Sequence, residues 1–295
     1  MSVKKAVVFV NRHKKESDKV AEQIRLALTK KNIEVTIFPC MWESYKPTGE
    51  KWDIAFCLGG DGTVLYTARC LAGAGTPILP VNLGTLGFIA NVHKDEWFEV
   101  FERWERGEAG FSPRCMLEVS VERKGENVIT NTCLNDAVIS ATGISKLIRL
   151  NVHSRIIPGE YTELGFYRCD GLIIATPTGS TGYSLAAGGP ILDPEMEAII
   201  LNPVCPFTLS NRPLVLPSKL ALVVTVAEEQ RSGVLLTIDG QDTFTLECKD
   251  RVIIQQSPCH AKLISADRHA YYSALCTKLS WSDDVVYDSF GGSHA

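Results

Sequence analysis

Ile54-Ala-Phe-Cys-Leu-Gly-Gly-Asp-Gly-Thr63 decides the fold of the first third of the chain. The run Ile54–Leu58 has no polar face, so it reads as a strand buried on both sides. Glycines then flank a single aspartate, and the stretch Val64–Leu71 continues with helical spacing. Outward from this segment the same alternation repeats. Ala6–Val10, Val35–Phe38 and Ile78–Val81 are further short apolar strands. Ser17 opens a stretch with Val20, Ala21, Ile24, Leu26, Ala27 and Leu28, which predicts an amphipathic helix capped by Ser or Asp. Trp97–Arg106 reads as another helix. Apolar strands alternating with helices predict a parallel sheet covered on both faces. Ligands of such sheets sit at the carboxyl ends of the strands. The glycine turn after Leu58 and the loop Asn82-Leu-Gly-Thr-Leu-Gly87 both lie at such ends and could face one crevice.

After Phe111-Ser-Pro113 the pattern changes. Met116–Arg123 and Val128–Ser140 read as strands around the turn Lys124-Gly-Glu126. Leu147–His153, Leu172–Thr176, Leu220–Val226, Val234–Ile238, Thr243–Glu247, Val252–Gln255 and Lys262–Ile264 follow. Turn residues recur at short intervals, as in an antiparallel sandwich or barrel. Helical spacing returns over Ala270–Leu279, and the tail Gly291–Ala295 is expected to fray. No internal repeat or low-complexity segment interrupts the chain.

A length of 295 residues favours two domains, because single cores stop growing near about 250–300 residues. Apolar residues at 45% and charged residues at 22% exclude a disordered chain. The net charge is −4 and no Lys/Arg block stands out, which argues against a nucleic-acid groove or an anionic membrane surface. Phosphate-bearing substrates would therefore rest on local backbone dipoles, a few Arg or Lys and a metal ion. The ten cysteines are scattered, form no C-x-x-C and pair with no His at zinc spacing. They read as reduced core thiols of a reducing compartment, which is expected to be the cytoplasm. Ala6–Val10 is too short for a signal region or a membrane span, and no later segment is long and apolar enough to cross a bilayer.

Several constellations carry chemistry. In Leu58-Gly-Gly-Asp-Gly-Thr63 the glycines let backbone approach a ligand, and the free N–H groups at a helix start favour anions. Gly59, Gly60, Gly62 and Thr63 thus resemble a phosphate cradle, although no Lys follows as in a Walker loop. Asp61 is the odd member: beside phosphates it costs repulsion unless a metal or a reacting hydroxyl compensates. It is a candidate base or magnesium-associated group, and the plainer reading is a helix cap. A second segment runs from Asp170 to Pro190. An acidic residue opens an apolar strand, which then gives way to Thr176, Thr178, Ser180 and Thr181 before Tyr183 and Ser184. Hydroxyls and N–H groups suit ribose and base edges, and Tyr183 can face a purine or nicotinamide ring. A polar surface loop is the plainer alternative. Asn135-Asp136, inside an apolar strand, needs partners but is also compatible with an edge strand or turn. Ile238-Asp-Gly-Gln-Asp242 is equally a hairpin turn. Lys146 and Arg168 are isolated cations that alone would read as solvated surface.

Together these segments resemble the NAD kinase family from Ile54 to Trp281. GGDGT alone is shared with phosphofructokinases and with diacylglycerol and sphingosine kinases. The stretch DGLIIATPTGSTGYSLAAGGPIL is far more specific, as are NLGTLGF (Asn82–Phe88), LND (Leu134–Asp136), TLSNRPLV (Thr208–Val215), IDGQ (Ile238–Gln241) and KLSW (Lys278–Trp281). The resemblance implies a Rossmann-like α/β domain over 1–113, joined by the returning segment 267–295, and an antiparallel β-sandwich over 114–266. It implies catalysis by Asp61. It also implies NAD contacts from Asp61, Gly62, Asn135, Asp136, Lys146, Arg168, Asp170, Thr181, Gly182, Tyr183, Ser184, Ala186 and Gln241, to which the hydroxyl loop adds Thr178. The substrates would be NAD and ATP, the latter with Mg²⁺ and without a dedicated protein metal site, and the assembly a homodimer or homotetramer. Two positions depart from the pattern. Phe207 stands where the family often has His, and Gly182 where many members have Ala.

The mechanism expected from this resemblance places ATP against the Gly59–Thr63 turn and the NAD adenosine between that turn and the Thr178–Ser184 loop. Asp61 would orient the ribose 2′-hydroxyl, and Arg168 would meet the product's 2′-phosphate. Two rivals keep the same loops: a lipid or sugar kinase, and a non-catalytic NAD(P) sensor. The Asp170–Pro190 segment speaks against the first and the presence of Asp61 against the second.

Overall fold

The computed structural model describes residues 3–14, 16–40, 50–84, 87–144, 146–155, 157, 160–208, 210–264 and 270–281. The centre of the Asn82–Phe88 motif (85 and 86), position 209 of the Thr208–Val215 motif, and the tail lie outside them.

The first region contains β1 (Lys5–Val10), α1 (Ser17–Lys30), β2 (Glu34–Pro39), β3 (Ile54–Gly59), α2 (Asp61–Cys70), β4 (Pro77–Asn82), a short β5 (Val92–His93) and α3 (Trp97–Glu105). The strands are parallel in the order β4-β3-β1-β2. Their uniform apolarity has a direct cause. Ala6, Val8, Val10, Ile54, Phe56 and Leu58 face α1 and α3, while Val7, Phe9, Ala55 and Cys57 face α2. Both faces of β1 and β3 are buried, so neither face is polar, whereas the edge strand β2 is only partly buried. The expected Ser or Asp cap of α1 is absent. Glu16 precedes the helix at φ 71 with no side-chain cap. Ser17 is already inside the helix, and its N–H is satisfied by the Lys14 carbonyl at 3.3 Å.

The second region contains β6 (Phe111–Arg123), β7 (Glu126–Cys133), β8 (Asp136–Ala141), β9 (Ile148–Arg155), β10 (Tyr161–Cys169), β11 (Gly171–Ala175), α4 (Tyr183–Ala186), β12 (Ala198–Val204), β13 (Leu214–Pro217), β14 (Ala221–Val226), β15 (Val234–Ile238), β16 (Asp242–Leu246), β17 (Arg251–Ile264) and α5 (Ala270–Lys278). One antiparallel sheet runs β13-β12-β11-β8-β15-β16. The other, β10-β9-β14-β17 with β6 and β7, does not stop at the domain border. Lys262 and Leu263 of β17 pair in parallel with Pro77 and Ile78 of β4, so the two regions share a continuous sheet. Side chains alternate into the space between the sheets: Leu117, Val119 and Val121 from β6 and Leu222 and Val224 from β14 meet Ile139, Ile174, Leu201 and Leu236 from the other sheet. The opposite face of that second sheet, with Val138, Ile173, Ala175 and Ile200, is covered by Leu192 and Ala187 of the segment following β11.

Three differences from the sequence reading have physical causes. Val128–Ser140 is not one strand: β7 and β8 belong to different sheets. The break falls where the Asp239 carboxylate, instead of a ladder carbonyl, accepts the N–H groups of Leu134, Asn135 and Asp136 at 3.0, 2.7 and 3.2 Å. Val252–Gln255 and Lys262–Ile264 are parts of the single strand β17, and the polar residues between them form an irregularity after Gln256. β10, β12 and β13 carry no apolar alternation strong enough to mark them; β10 and β13 are edge strands. The C-terminal helix does return to the first region, with Lys278 over the Phe88 ring at 5.2 Å. None of the ten cysteines forms a disulfide. Burial pushes the thiols of Cys40 and Cys115 up to about 12 and about 11, as expected of inert core residues. Among the described residues no helix is long and apolar enough to cross a membrane.

Candidate functional site

Asp61 begins α2, but its side chain does not cap that helix. The carboxylate reaches across to the loop after β4. Phe88 N–H donates to Oδ2 at 3.0 Å, and Ile89 and Ala90 N–H groups donate to Oδ1 at 3.1 and 2.8 Å. A carboxylate offers about four acceptor directions, so about one remains, on Oδ2. The residue is half-buried and oriented by fixed dipoles. Two glycines make this possible. A Cβ on Gly87 would overlap the Asp61 carboxylate, and one on Gly59 would overlap the Thr63 side chain. Gly60 has open space around it, so backbone there is approachable. Asn11, which the sequence reading missed, donates from Nδ2 to Thr63 Oγ1 at 3.3 Å.

The turn between β15 and β16 joins this helix to the sandwich. Gln241 Nε2 donates to the Gly62 carbonyl at 2.7 Å. Arg69 of α2 contacts Asp239 at 3.3 Å and Asp242 at 3.2 Å. Asp239 and Gly240 take positive φ of 50 and 66, so the segment is indeed a turn. Asp239 is also the hub that holds residues 134–136. Burial pushes its carboxyl up, and Arg69 and the three N–H donors oppose this. Asp136 lies beside it. Burial, then the neighbouring Asp239 charge, pushes the Asp136 carboxyl up to about 7. Arg69 is not marked by the sequence and Asp239 is marked only as part of the Ile238–Asp242 turn, because their partners are distant along the chain.

A cavity of about 370 Å³ lies along β8, lined by Asn135, Asp136, Ser140, Tyr183, Asp239 and Gly240 among others. The Thr178–Thr181 turn closes over Asn135: a Cβ on Gly179 would strike the Asn135 backbone carbonyl, and Gly182 lies against Asn135 Nδ2. Asn135 Oδ1, Thr178 Oγ1 and Gln241 Oε1 are buried with no hydrogen-bond partner among the described residues. Unpaired buried acceptors are costly, and of these three residues Asn135 lines the cavity. Tyr183 is half exposed over the cavity. Thr181 Oγ1 donates to the Thr178 carbonyl at 3.3 Å. Ser184 turns inward, its hydroxyl 3.3 Å from Asn202 Nδ2. Ala186 is exposed at the end of α4.

The remaining residues named from the sequence lie elsewhere. Asp170 sits at the far end of β11 from Ala175, which pairs with Asp136. Lys146 and Arg168 line a separate cavity, so the structure does not bring Arg168 to the Asp61 turn. The Arg168 guanidinium stacks on Phe207 at 4.3 Å, which gives Phe207 a physical role as an aromatic platform. A further cavity of about 280 Å³ around Arg114, Asp193 and Tyr271 contains none of the residues named from the sequence. Among the described residues no group of three or more His, Cys, Asp or Glu is placed to hold a metal ion.

Residues 45–109 match the ATP-NAD kinase N-terminal domain family and residues 115–266 the ATP-NAD kinase C-terminal domain family. The chain is 39% identical to the NAD kinase of Treponema denticola over 281 residues, covering 95% of this chain and 97% of that one. It is 41% identical to the NAD kinase of Geobacter sulfurreducens over 231 residues, covering 78% and 79%. Among solved structures, the yeast NADH kinase complexed with NADH superposes with a TM-score of 0.83 at 22% identity, covering 100% of this chain and 90% of that one. The NAD kinase of Archaeoglobus fulgidus in complex with ATP gives 0.72 at 24% identity, covering 94% and 99%. At these identities the two structures speak to the fold.

Proposed function

The chain belongs to the NAD kinase family, a family of phosphotransferases, and on that premise we propose that it transfers the γ-phosphoryl group of ATP to the 2′-hydroxyl of the adenosine ribose of NAD. The observation that carries this reading is the cluster of unpartnered buried acceptors, Asn135 Oδ1, Thr178 Oγ1 and Gln241 Oε1, beside the turn that presents Asp61. Asn135 in the cavity along β8, with Thr178 and Gln241 on the neighbouring turns, supplies a polar seat for an adenosine. Asp136, Tyr183 and Gly182 border the same space.

Asp61 then acts by position. Its remaining acceptor direction takes the 2′-hydroxyl, while the three backbone donors keep the carboxylate from rotating. Donor phosphates lie against the backbone of the Gly59–Thr63 turn at the start of α2, where Gly60 has open space around it. The 2′-oxygen attacks the γ-phosphorus, the bond to the bridging oxygen breaks, and ADP leaves with the electron pair. The hydroxyl proton passes late to Asp61. The transition state of phosphoryl transfer is loose, so orientation outweighs proton abstraction. Mg²⁺ enters as part of the donor, MgATP, and polyphosphate is an alternative donor of the same chemistry.

The further assignments belong to the same proposal: an α/β domain over 1–113 with 267–295, a sandwich domain over 114–266, NAD contacts extending to Lys146, Arg168 and Asp170, a homodimer or homotetramer, and cytoplasmic residence in keeping with ten cysteines that form no disulfide. Nucleic acid and membrane are not among the proposed partners. The test is a coupled assay for NADP with purified protein, ATP and NAD, run beside fructose 6-phosphate and diacylglycerol as acceptors. NADP formation is expected. Phosphorylation of either other acceptor without NADP would overturn the reading.

A further inference from the structure

Ser112, Arg114, Asp193, Glu195, Tyr271 and Tyr272 surround the cavity of about 280 Å³ that holds none of the residues named from the sequence. The cavity lies behind the site already described. Asn91 of its lining directly follows Ala90, whose N–H group donates to Asp61. Leu192, next to Asp193, donates its N–H to Ser180 Oγ of the Thr178–Thr181 turn at 3.0 Å. Tyr271 closes the same corner, its hydroxyl donating to the Leu192 carbonyl at 2.9 Å.

Arg114 stands out in this lining. It is 7% exposed, and its Nε is buried with no hydrogen-bond partner among the described residues. An unpaired buried donor is costly, so the cavity calls for an acceptor. The surrounding charges limit its kind. Glu195 and Asp193 are close enough to act on the Arg114 charge. An anion drawn to Arg114 would meet these carboxylates, and a cation drawn to them would meet the buried guanidinium. A neutral ligand that both donates and accepts avoids both costs. The lining already shows how hydroxyls are met there: Tyr272 donates its hydroxyl to Asp193, and Ser112 donates to Glu195 at 2.7 Å. A ligand hydroxyl can donate to a carboxylate and accept from Nε at once. The volume is near the lower end for small-molecule sites, about 300 Å³. Tyr271 and Tyr272, with ring centroids 5.4 Å apart, supply an aromatic wall for the apolar face of such a ligand.

We propose that this cavity binds a small neutral polyhydroxylated molecule of the sugar or polyol class, with Arg114 donating to a ligand oxygen and Asp193 and Glu195 accepting from its hydroxyls. The inference rests on the charge and geometry of the cavity and does not depend on the kinase reading.

Titration of the full chain followed by saturation-transfer NMR tests the site with four probes: D-ribose, ribitol, sodium acetate and ethylammonium chloride. Wild type is compared with Arg114→Met and Glu195→Gln. Glu195 is exposed, so its variant should fold; circular dichroism checks both, and Glu195→Gln decides alone if Arg114→Met does not fold. Wild type is expected to bind ribose, ribitol or both more tightly than either ion, and each folded variant to bind at least about fivefold more weakly, the scale of one lost hydrogen bond. Ribose alone identifies a ring sugar as the source, and ribitol alone an open-chain polyol. Absence of binding of both to wild type, tighter binding of acetate or ethylammonium, or a smaller change in either folded variant would overturn the site. NADP formation can fail or succeed independently of these results.

Discussion

Gly87 and Asp61 compete for one volume: a methyl group on Gly87 would overlap the Asp61 carboxylate that the following three residues hold through their N–H groups. The glycine in this loop therefore serves a close approach. Gly87→Ala should push Asp61 off its donors while leaving the sheet intact. A displacement of about 1 Å can cost on the order of 10²-fold in rate. The expected outcome is a fall in kcat of about ten- to a hundredfold, with a melting temperature near wild type. Steady-state kinetics beside thermal denaturation check it; a variant with unaltered kcat would show that Asp61's placement in the loop is incidental.

Arg69 joins the two regions through buried charge. Its side chain is 8% exposed and that of Asp239 is 0% exposed. Removing one partner of such a pair leaves a buried charge uncompensated, at about 3–5 kcal/mol. Arg69→Met should lose stability on that scale in urea denaturation. Combined with Asp239→Asn it should lose less than the two single variants summed, by about 1 kcal/mol or more. Strict additivity would mean that the contact carries little.

Asp136 makes stability depend on pH. Its carboxyl is pushed up to about 7 in the folded chain from an ordinary value of 3.8. The native state therefore binds more protons than the unfolded state between these values, and stability falls as pH rises from about 4 to about 7. Asp136→Asn removes this dependence. The melting temperature of the variant relative to wild type should be higher at pH 8 than at pH 5. Parallel profiles of the two proteins across that range would contradict the assignment.

Much of this arrangement is written locally in the chain. Strands such as Ile54–Leu58 are apolar at every position because helices cover both faces, so their nature is visible without any partner. The glycine turn at Asp61 and the hydroxyl-rich segment after β11 are likewise local. What escapes is set by distance. The break at Leu134-Asn135 is imposed by a carboxylate 104 residues from Asn135, and Arg69 finds Asp239 170 residues away. A lone arginine in a helix reads as surface until that partner is placed. The polar centre of β17 resembles a turn because strand pairing tolerates an irregularity there. Arg168 was expected at the transferred phosphate. No local pattern could show that β10 holds it in the other sheet, away from the Asp61 turn.

The central claim is that Asp61 orients the accepting hydroxyl, and turnover of Asp61→Asn measured together with NAD affinity tests it most directly. The asparagine carbonyl oxygen can still accept the Ile89 and Ala90 N–H groups, so the loop keeps two of its three contacts. The expected result is a loss of at least about 10²-fold in kcat for NADP formation, with the NAD dissociation constant within a few-fold of wild type. Turnover near that of wild type would contradict the account.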